Sequence, residues 1–187
     1  MKLYALCDKL SIDSRNISLD KFLTIAKKNG AEIIQYRDKS SNIEDIKKAL
    51  IYLRANFDGF LIVNDKYELC SYCDGVHIGQ EDLYAIDADP MKSIKVLKKV
   101  IGSDKIIGLS THNKAEIEVS NTLDINYVGL GAYRATNTKD VSTILGDSLD
   151  EIASTSNYPV AAIGGVKLND SFKNATYLVV GSALYEN

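Results

Sequence analysis

The sequence contains no tryptophan and, among its 187 residues, only two prolines, two methionines, two histidines and three cysteines. Scarce proline and the absence of any low-complexity tract exclude collagen-like and disordered classes, and with 45% apolar and 25% charged residues the chain can fold around a core. Charge of one sign is lacking too, since 22 Lys plus Arg against 25 Asp plus Glu leave a formal −3. No net field gathers nucleic acid or anionic lipid, so an anionic ligand must be held by a local cluster. Long apolar runs are also missing. Uncharged stretches such as Ala175–Tyr185 fall far short of the ~18 residues a membrane helix needs. The opening MKLYALCDKL is broken by Asp8 and Lys9 before a signal-peptide core can form. An odd number of cysteines fits a reducing compartment in which thiols stay unpaired. These absences lead us to expect a single cytoplasmic domain, residues 1–187, with no nucleic-acid or membrane partner.

What is present is a regular alternation. Short β-rich runs occur at Leu3–Cys7, Glu32–Arg37, Phe60–Asn64, Gly75–Ile78, Lys105–Ser110, Asn126–Gly131, Pro159–Ile163 and Tyr177–Gly181. Most are continuously apolar, as strands buried on both faces of a parallel sheet must be. Helical patterns lie between them. Ser18 can cap a helix carrying Leu19, Phe22, Leu23 and Ala26, with Gly30 as its stop. Ser41 and Glu44 make a capping box, and Asp89-Pro90 opens a helix that ends at Gly102. Weaker signals cover Lys66–Cys73, Asn113–Asn121 and Ser142–Ser156, with about one turn near Asn169–Asn174. Eight strand–helix units in 187 residues, roughly 23 each, predict a lean (β/α)8 TIM barrel with shortened helices. The competing open doubly wound sheet would carry a glycine-rich loop after its first strand, and ALCDKLSIDS has no glycine.

Barrel enzymes place their chemistry at the C-terminal strand ends, and here those ends are polar. Strand alternation puts Gln35, Arg37 and Lys39 on one face, an amide and two cations aimed at one anion. Asp65, beside Asn64, and Asp82, beyond His77, can give hard oxygen ligands to a Mg²⁺ that completes its shell with water and phosphate. Gly164-Gly165 after the seventh strand and Gly181-Ser182 after the eighth offer backbone N–H groups to a second phosphate. The pattern is that of a site for two phosphorylated groups. Cys70-Ser71-Tyr72-Cys73 resembles a metal or redox pair but lacks the further ligands or the strand–helix setting either would need, and is read as structural.

In order and spacing, QYRDK, LIVND, DGVHIGQEDL, IGLSTHN, YVGLGAYRATNTK and AIGGV resemble the family of thiamine-phosphate synthases and TenI-type thiazole tautomerases. The resemblance implies a Mg²⁺-dependent transferase joining hydroxymethylpyrimidine diphosphate to hydroxyethylthiazole phosphate with release of pyrophosphate. It assigns Gln35, Arg37, Lys39, Asn64, Ser110 and Lys139 to the pyrimidine diphosphate, and Asp65 and Asp82 to the metal. Of these, Arg37, Lys39, Ser110 and Lys139 form the catalytic set. Thr136, Thr138, Gly164, Gly165 and Ser182 fall on the thiazole-phosphate side, and His77 lines the pyrimidine pocket. The alternatives are a tautomerase using His112 as acid/base and a non-catalytic binding paralogue, but Lys39, Asp65 and Asp82 match the synthase pattern.

The chain departs from that pattern at GAYRATNTK, where Ala132 and Ala135 stand in for two prolines and Arg134 for an aromatic, so the loop is expected to be less rigid. The sequence stops at Asn187, where members of that family continue through a final helix. A truncated last helix predicts an apolar strip outside the first and eighth strands, and hence a homo-oligomer that covers it.

Overall fold

A computed structural model describes residues 1–135 and 143–185. From the N-terminus the described residues form β1 (Lys2–Asp8), α1 (Lys9–Asp13), α2 (Leu19–Lys28), β2 (Ala31–Arg37), α3 (Ile43–Asn56) and β3 (Phe60–Asn64). A 3-10 helix (Tyr67–Tyr72) leads to β4 (Gly75–Ile78), followed by α4 (Gln80–Ile86), α5 (Pro90–Ile101), β5 (Ile106–Thr111) and α6 (Lys114–Ser120). The rest comprises β6 (Tyr127–Leu130), α7 (Ser148–Ala153), β7 (Val160–Ala162), β8 (Tyr177–Val180) and a second 3-10 helix (Ser182–Tyr185). All strand pairs are parallel, and β1 pairs with β2 on one side and β8 on the other. The sheet therefore closes, and the fold is a (β/α)8 barrel rather than an open sheet.

Alternation along each strand builds two apolar layers. Tyr4, Leu6, Ile33, Ile62, Tyr127, Ala161 and Val179 fill the lumen. Their neighbours, among them Ala5, Ile34, Leu61, Val76, Ile107, Val128 and Val180, pack outward under the helices. Because both faces are buried, the strands read as continuous apolar runs. The same parity carries Gln35 and Arg37 inward, in step with Ile33, while Tyr36 belongs to the outer layer.

Several helix ends match their sequence signals. Ser18 accepts a hydrogen bond from Lys21 N (3.2 Å), and Asp89 caps α5 with Pro90 in its first turn. For α3 the expected Ser41 box gives way to Asn42, whose side chain accepts from Asp45 N at 3.0 Å. The Ser41 N–H, which a reciprocal bond from Glu44 would need, is taken by the Asp38 carboxylate. The Lys66–Cys73 pattern forms a 3-10 helix that buries Cys70, and Cys73 beside it is also a buried free thiol. Between β7 and β8 the turn expected near Asn169–Asn174 is not helical. The Asp150 carboxylate holds that segment by accepting from Lys173 N and Asn174 N, each at 2.9 Å.

The predicted apolar strip is not exposed. Leu178 is 6% exposed and Val180 fully buried. Phe172 and Leu184 of the surrounding segments belong to the same core cluster, and the Tyr185 ring meets Phe22 edge-on at 6.3 Å. The short 3-10 helix after β8 thus does the covering work of a longer one, which removes the argument from which association was expected. Among the described residues no helix is long and apolar enough to cross a membrane.

Candidate active site

The C-terminal strand ends open into a cavity of about 1040 Å³. Every predicted site residue that is described lines it: Gln35, Arg37, Lys39, Asn64, Asp65, His77, Asp82, Ser110, His112, Gly164, Gly165, Gly181 and Ser182. Thr136, Thr138 and Lys139 lie outside the described residues.

The cation cluster is held from below by a residue the sequence reading passed over. Asp8, the last residue of β1, lies across from Arg37 in the sheet register and accepts a hydrogen bond from its guanidinium. Both side chains are largely buried, at 6% and 15% exposure. The second function of Asp8 is to cap α1 by accepting from Ser11 N at 2.9 Å. The signal in the sequence is a polar residue ending an apolar strand, which by itself shows only that the N-terminal apolar run is interrupted.

Lys39 follows on a loop pinned by Asp38. One Asp38 oxygen accepts from Ser40 N and Ser41 N, both at 2.9 Å, and the other from Tyr36 OH at 3.1 Å. Burial pushes this carboxyl upward, but the hydrogen bonds from Ser41 and Ser40 outweigh it and pull it down to about 2.

Lys39 Nζ stands 3.5 Å from Asp65 Oδ2. Asp65 has φ +60, the left-handed region that Asp tolerates better than most residues, and its N–H donates to His77 O at 2.9 Å. Burial and then the facing Asp82 charge raise the Asp65 carboxyl above its ordinary range, while Lys39 offsets part of the effect. Among the described residues no group of three or more His, Cys, Asp or Glu could enclose a metal. Two mutually repelling carboxylates beside an anion-binding cluster do fit Mg²⁺, which keeps several waters and shares phosphate oxygens.

The opposite rim is built from backbone. Gly164 and Gly165 adopt φ +86 and +64, and a Cβ would come within 2.4 Å of Ala132 Cβ at the first and 2.8 Å of Arg134 Cβ at the second. Only glycine allows both the conformation and the close approach of the β6 loop. Their N–H groups have no hydrogen-bond partner among the described residues and so remain available to an anion. The loop itself is tied down by Arg134, which makes a bidentate pair with Asp170 (2.6 and 2.9 Å) and donates to Gly165 O at 3.1 Å. Its guanidinium also lies 4.2 Å from the Tyr133 ring centre. The loss of the prolines is thus offset by a clamp whose second half, Asp170, sits 36 residues away in sequence.

At the cavity edge His112 Nδ1 lies 2.9 Å from Glu116 Oε2, which also accepts from His112 N at 2.8 Å. Deeper in, His77 bridges Ser110 Oγ and Tyr127 OH, each at 2.9 Å.

Residues 3–185 match a family model described as thiamine monophosphate synthase. A thiamine-phosphate synthase of Persephonella marina is 30% identical over 89% of this chain and 77% of that protein. One from Dictyoglomus turgidum is 35% identical over 88% of the chain and 72% of its own length. Among solved structures, a thiamine phosphate pyrophosphorylase from Pyrococcus furiosus superposes with a TM-score of 0.76 at 24% identity, covering 97% of this chain and 86% of that one. At that identity the superposition shows the shared barrel.

Proposed function

The chain belongs to the thiamine monophosphate synthase family, and from that premise we propose that it couples hydroxymethylpyrimidine diphosphate to hydroxyethylthiazole phosphate. The observation that carries this reading is one cavity with two unlike anion sites: side-chain cations beside a carboxylate pair on the β2–β4 rim, and backbone N–H groups at Gly164-Gly165 that have no partner among the described residues.

In the reaction the thiazole nitrogen forms a bond to the pyrimidine methylene carbon. The carbon–oxygen bond to the diphosphate breaks, and its electron pair leaves with pyrophosphate. The nucleophile belongs to the substrate, so the protein needs no activated side chain of its own. Its task is to hold both substrates in line and stabilise charge on the leaving group. Arg37, oriented by Asp8, together with Lys39 meets that charge, while Gln35, Asn64 and Ser110 fix the pyrimidine end and Gly164, Gly165 and Ser182 hold the thiazole phosphate. Lys139, Thr136 and Thr138 are assigned to the same two groups on the family pattern. Mg²⁺ held by Asp65 and Asp82 would neutralise diphosphate oxygens as the bond breaks.

One observation favours a second reading, thiazole tautomerisation: His112, paired with Glu116, is placed to move a proton at the cavity edge. The test is synthesis of thiamine phosphate from the two substrates with purified protein. Coupling should require Mg²⁺, stop on addition of EDTA, and survive His112→Ala with a moderate loss. No coupling, together with metal-independent tautomerisation lost in His112→Ala, would transfer the assignment to the tautomerase.

A further inference from the structure

A row of hydrogen-bonded side chains runs through the lumen beneath the site. Tyr4 OH lies 2.8 Å from Tyr127 OH, Tyr127 OH 2.9 Å from His77 Nδ1, and His77 Nε2 2.9 Å from Ser110 Oγ. Tyr4 and Tyr127 are buried at 1% and 4% exposure, whereas Ser110 reaches the cavity. Space has been cleared for the row by glycine. A Cβ on Gly108 would come within 2.1 Å of the Tyr127 ring, and one on Gly129 within 2.9 Å of the His77 ring. The Ser110 backbone is pinned as well, its carbonyl accepting from Gln80 Nε2 at 2.6 Å.

Hydrogen counting gives the row a direction. Each tyrosine hydroxyl has one hydrogen to donate, and a neutral imidazole has one N–H. If His77 Nδ1 carried it, His77 would donate to Tyr127 and Tyr127 to Tyr4. The Tyr4 hydrogen would then be buried with no acceptor among the described residues, since Tyr127 is its one partner there. In the opposite direction every hydrogen is used: Tyr4 donates to Tyr127, Tyr127 to Nδ1, and Nε2–H to Ser110 Oγ.

We propose that Tyr127 is a positioning residue that fixes His77 as its Nε2–H tautomer, so that Ser110 accepts from the imidazole and turns its own hydrogen toward a phosphate oxygen in the cavity. With the row reversed, Ser110 would donate to His77 and offer an anion only lone pairs. A tyrosine outside the substrate cavity therefore decides whether this position attracts or repels the diphosphate. The tautomer follows from the geometry alone; its consequence for the diphosphate rests on the coupling reading above.

The chain has just two histidines, so nitrogen NMR of protein labelled with ¹⁵N-histidine resolves the question directly, with His112→Asn identifying the second imidazole. The expected spectrum has His77 protonated at Nε2 and unprotonated at Nδ1. Tyr127→Phe, which removes the hydroxyl facing Nδ1 but keeps the ring, should perturb that state, whereas Tyr4→Phe should not, because Tyr127 then still has Nδ1 as its one acceptor among the described residues, and neither should Tyr177→Phe, whose ring packs on Tyr4 at 6.4 Å. In the coupling assay Tyr127→Phe should lower kcat roughly tenfold with little change in KM, by analogy with the loss seen for outer partners of metal-ligating imidazoles. It should cost no more when Ser110 is already alanine. A His77 protonated at Nδ1, or a tautomer indifferent to Tyr127→Phe, would overturn the proposal, as would an undiminished effect of Tyr127→Phe in the Ser110→Ala background. If wild-type protein did not couple the substrates, the functional reading would fall and the tautomer measurement would still decide this one.

Discussion

On the proposed reading, the two rims of the cavity solve the same problem, holding a phosphate, with different materials. The β2–β4 rim uses charged side chains. Arg37 is backed by buried Asp8, and Lys39 is set between Asp65 and a loop anchored by Asp38. The β6–β7 rim uses backbone N–H groups on two left-handed glycines, kept in place by the Arg134–Asp170 clamp. Charged side chains suit a leaving group whose charge grows during the reaction, because they act most strongly where charge develops. Neutral N–H donors suit a phosphate whose charge does not change and which needs only to be oriented. The first rim should therefore govern turnover and the second substrate binding.

The largest effect that could break this division is at Arg37. Arg37→Ala should lower kcat for coupling by roughly 100- to 1000-fold, the range expected for removing a charge-stabilising donor. Asp8→Asn, which keeps the arginine but loosens it, should cost less. A change confined to KM in Arg37→Ala would show that the charged rim merely binds. On the other rim the expectation is reversed. Arg134→Ala or Asp170→Asn should raise KM for the thiazole phosphate roughly tenfold and leave KM for the pyrimidine diphosphate near wild type. Combining the two should add little, because both release the same clamp.

The rims also differ in how far the sequence disclosed them. Gln35, Arg37, Lys39, Asp65 and Asp82 were readable because strand parity and position at strand ends are local properties, and the same periodicity placed the ends of all eight strands within one residue. The glycine pair was visible as a motif, but its reason was not, since the clash with Ala132 and Arg134 exists only after β6 and β7 pair. Asp170 was invisible as a partner of Arg134 because nothing local links residues 36 apart. Asp8 and Tyr127 escaped for the same cause: each acquires its role from another strand, Asp8 from Arg37 across the β1–β2 pair and Tyr127 of β6 from His77 of β4 across the lumen. The apolar strip is wrongly expected because sequence length alone cannot show that Phe172 and Leu184 join the core cluster that contains Leu178 and Val180.

The smallest effect sharpens the comparison by asking what keeps the charged rim in place when no substrate is bound. Asp38 is the anchor of the Lys39 loop, and its carboxyl, at about 2 in the folded chain, lies below the ordinary value near 4. A group whose folded pKa is depressed contributes stability that is full above its unfolded pKa and is lost as pH falls through the folded one. Asp38→Ala should therefore cost about 1–3 kcal/mol near neutral pH by leaving Ser40 N, Ser41 N and Tyr36 OH without their acceptor. The gap from wild type should narrow as pH is lowered from about 4 to about 2, where the wild-type carboxylate protonates as well. Urea unfolding of both proteins across that range would measure it. A gap independent of pH would mean that Asp38 holds the loop by shape alone, and that the charged rim is no more electrostatic in its support than the backbone rim opposite.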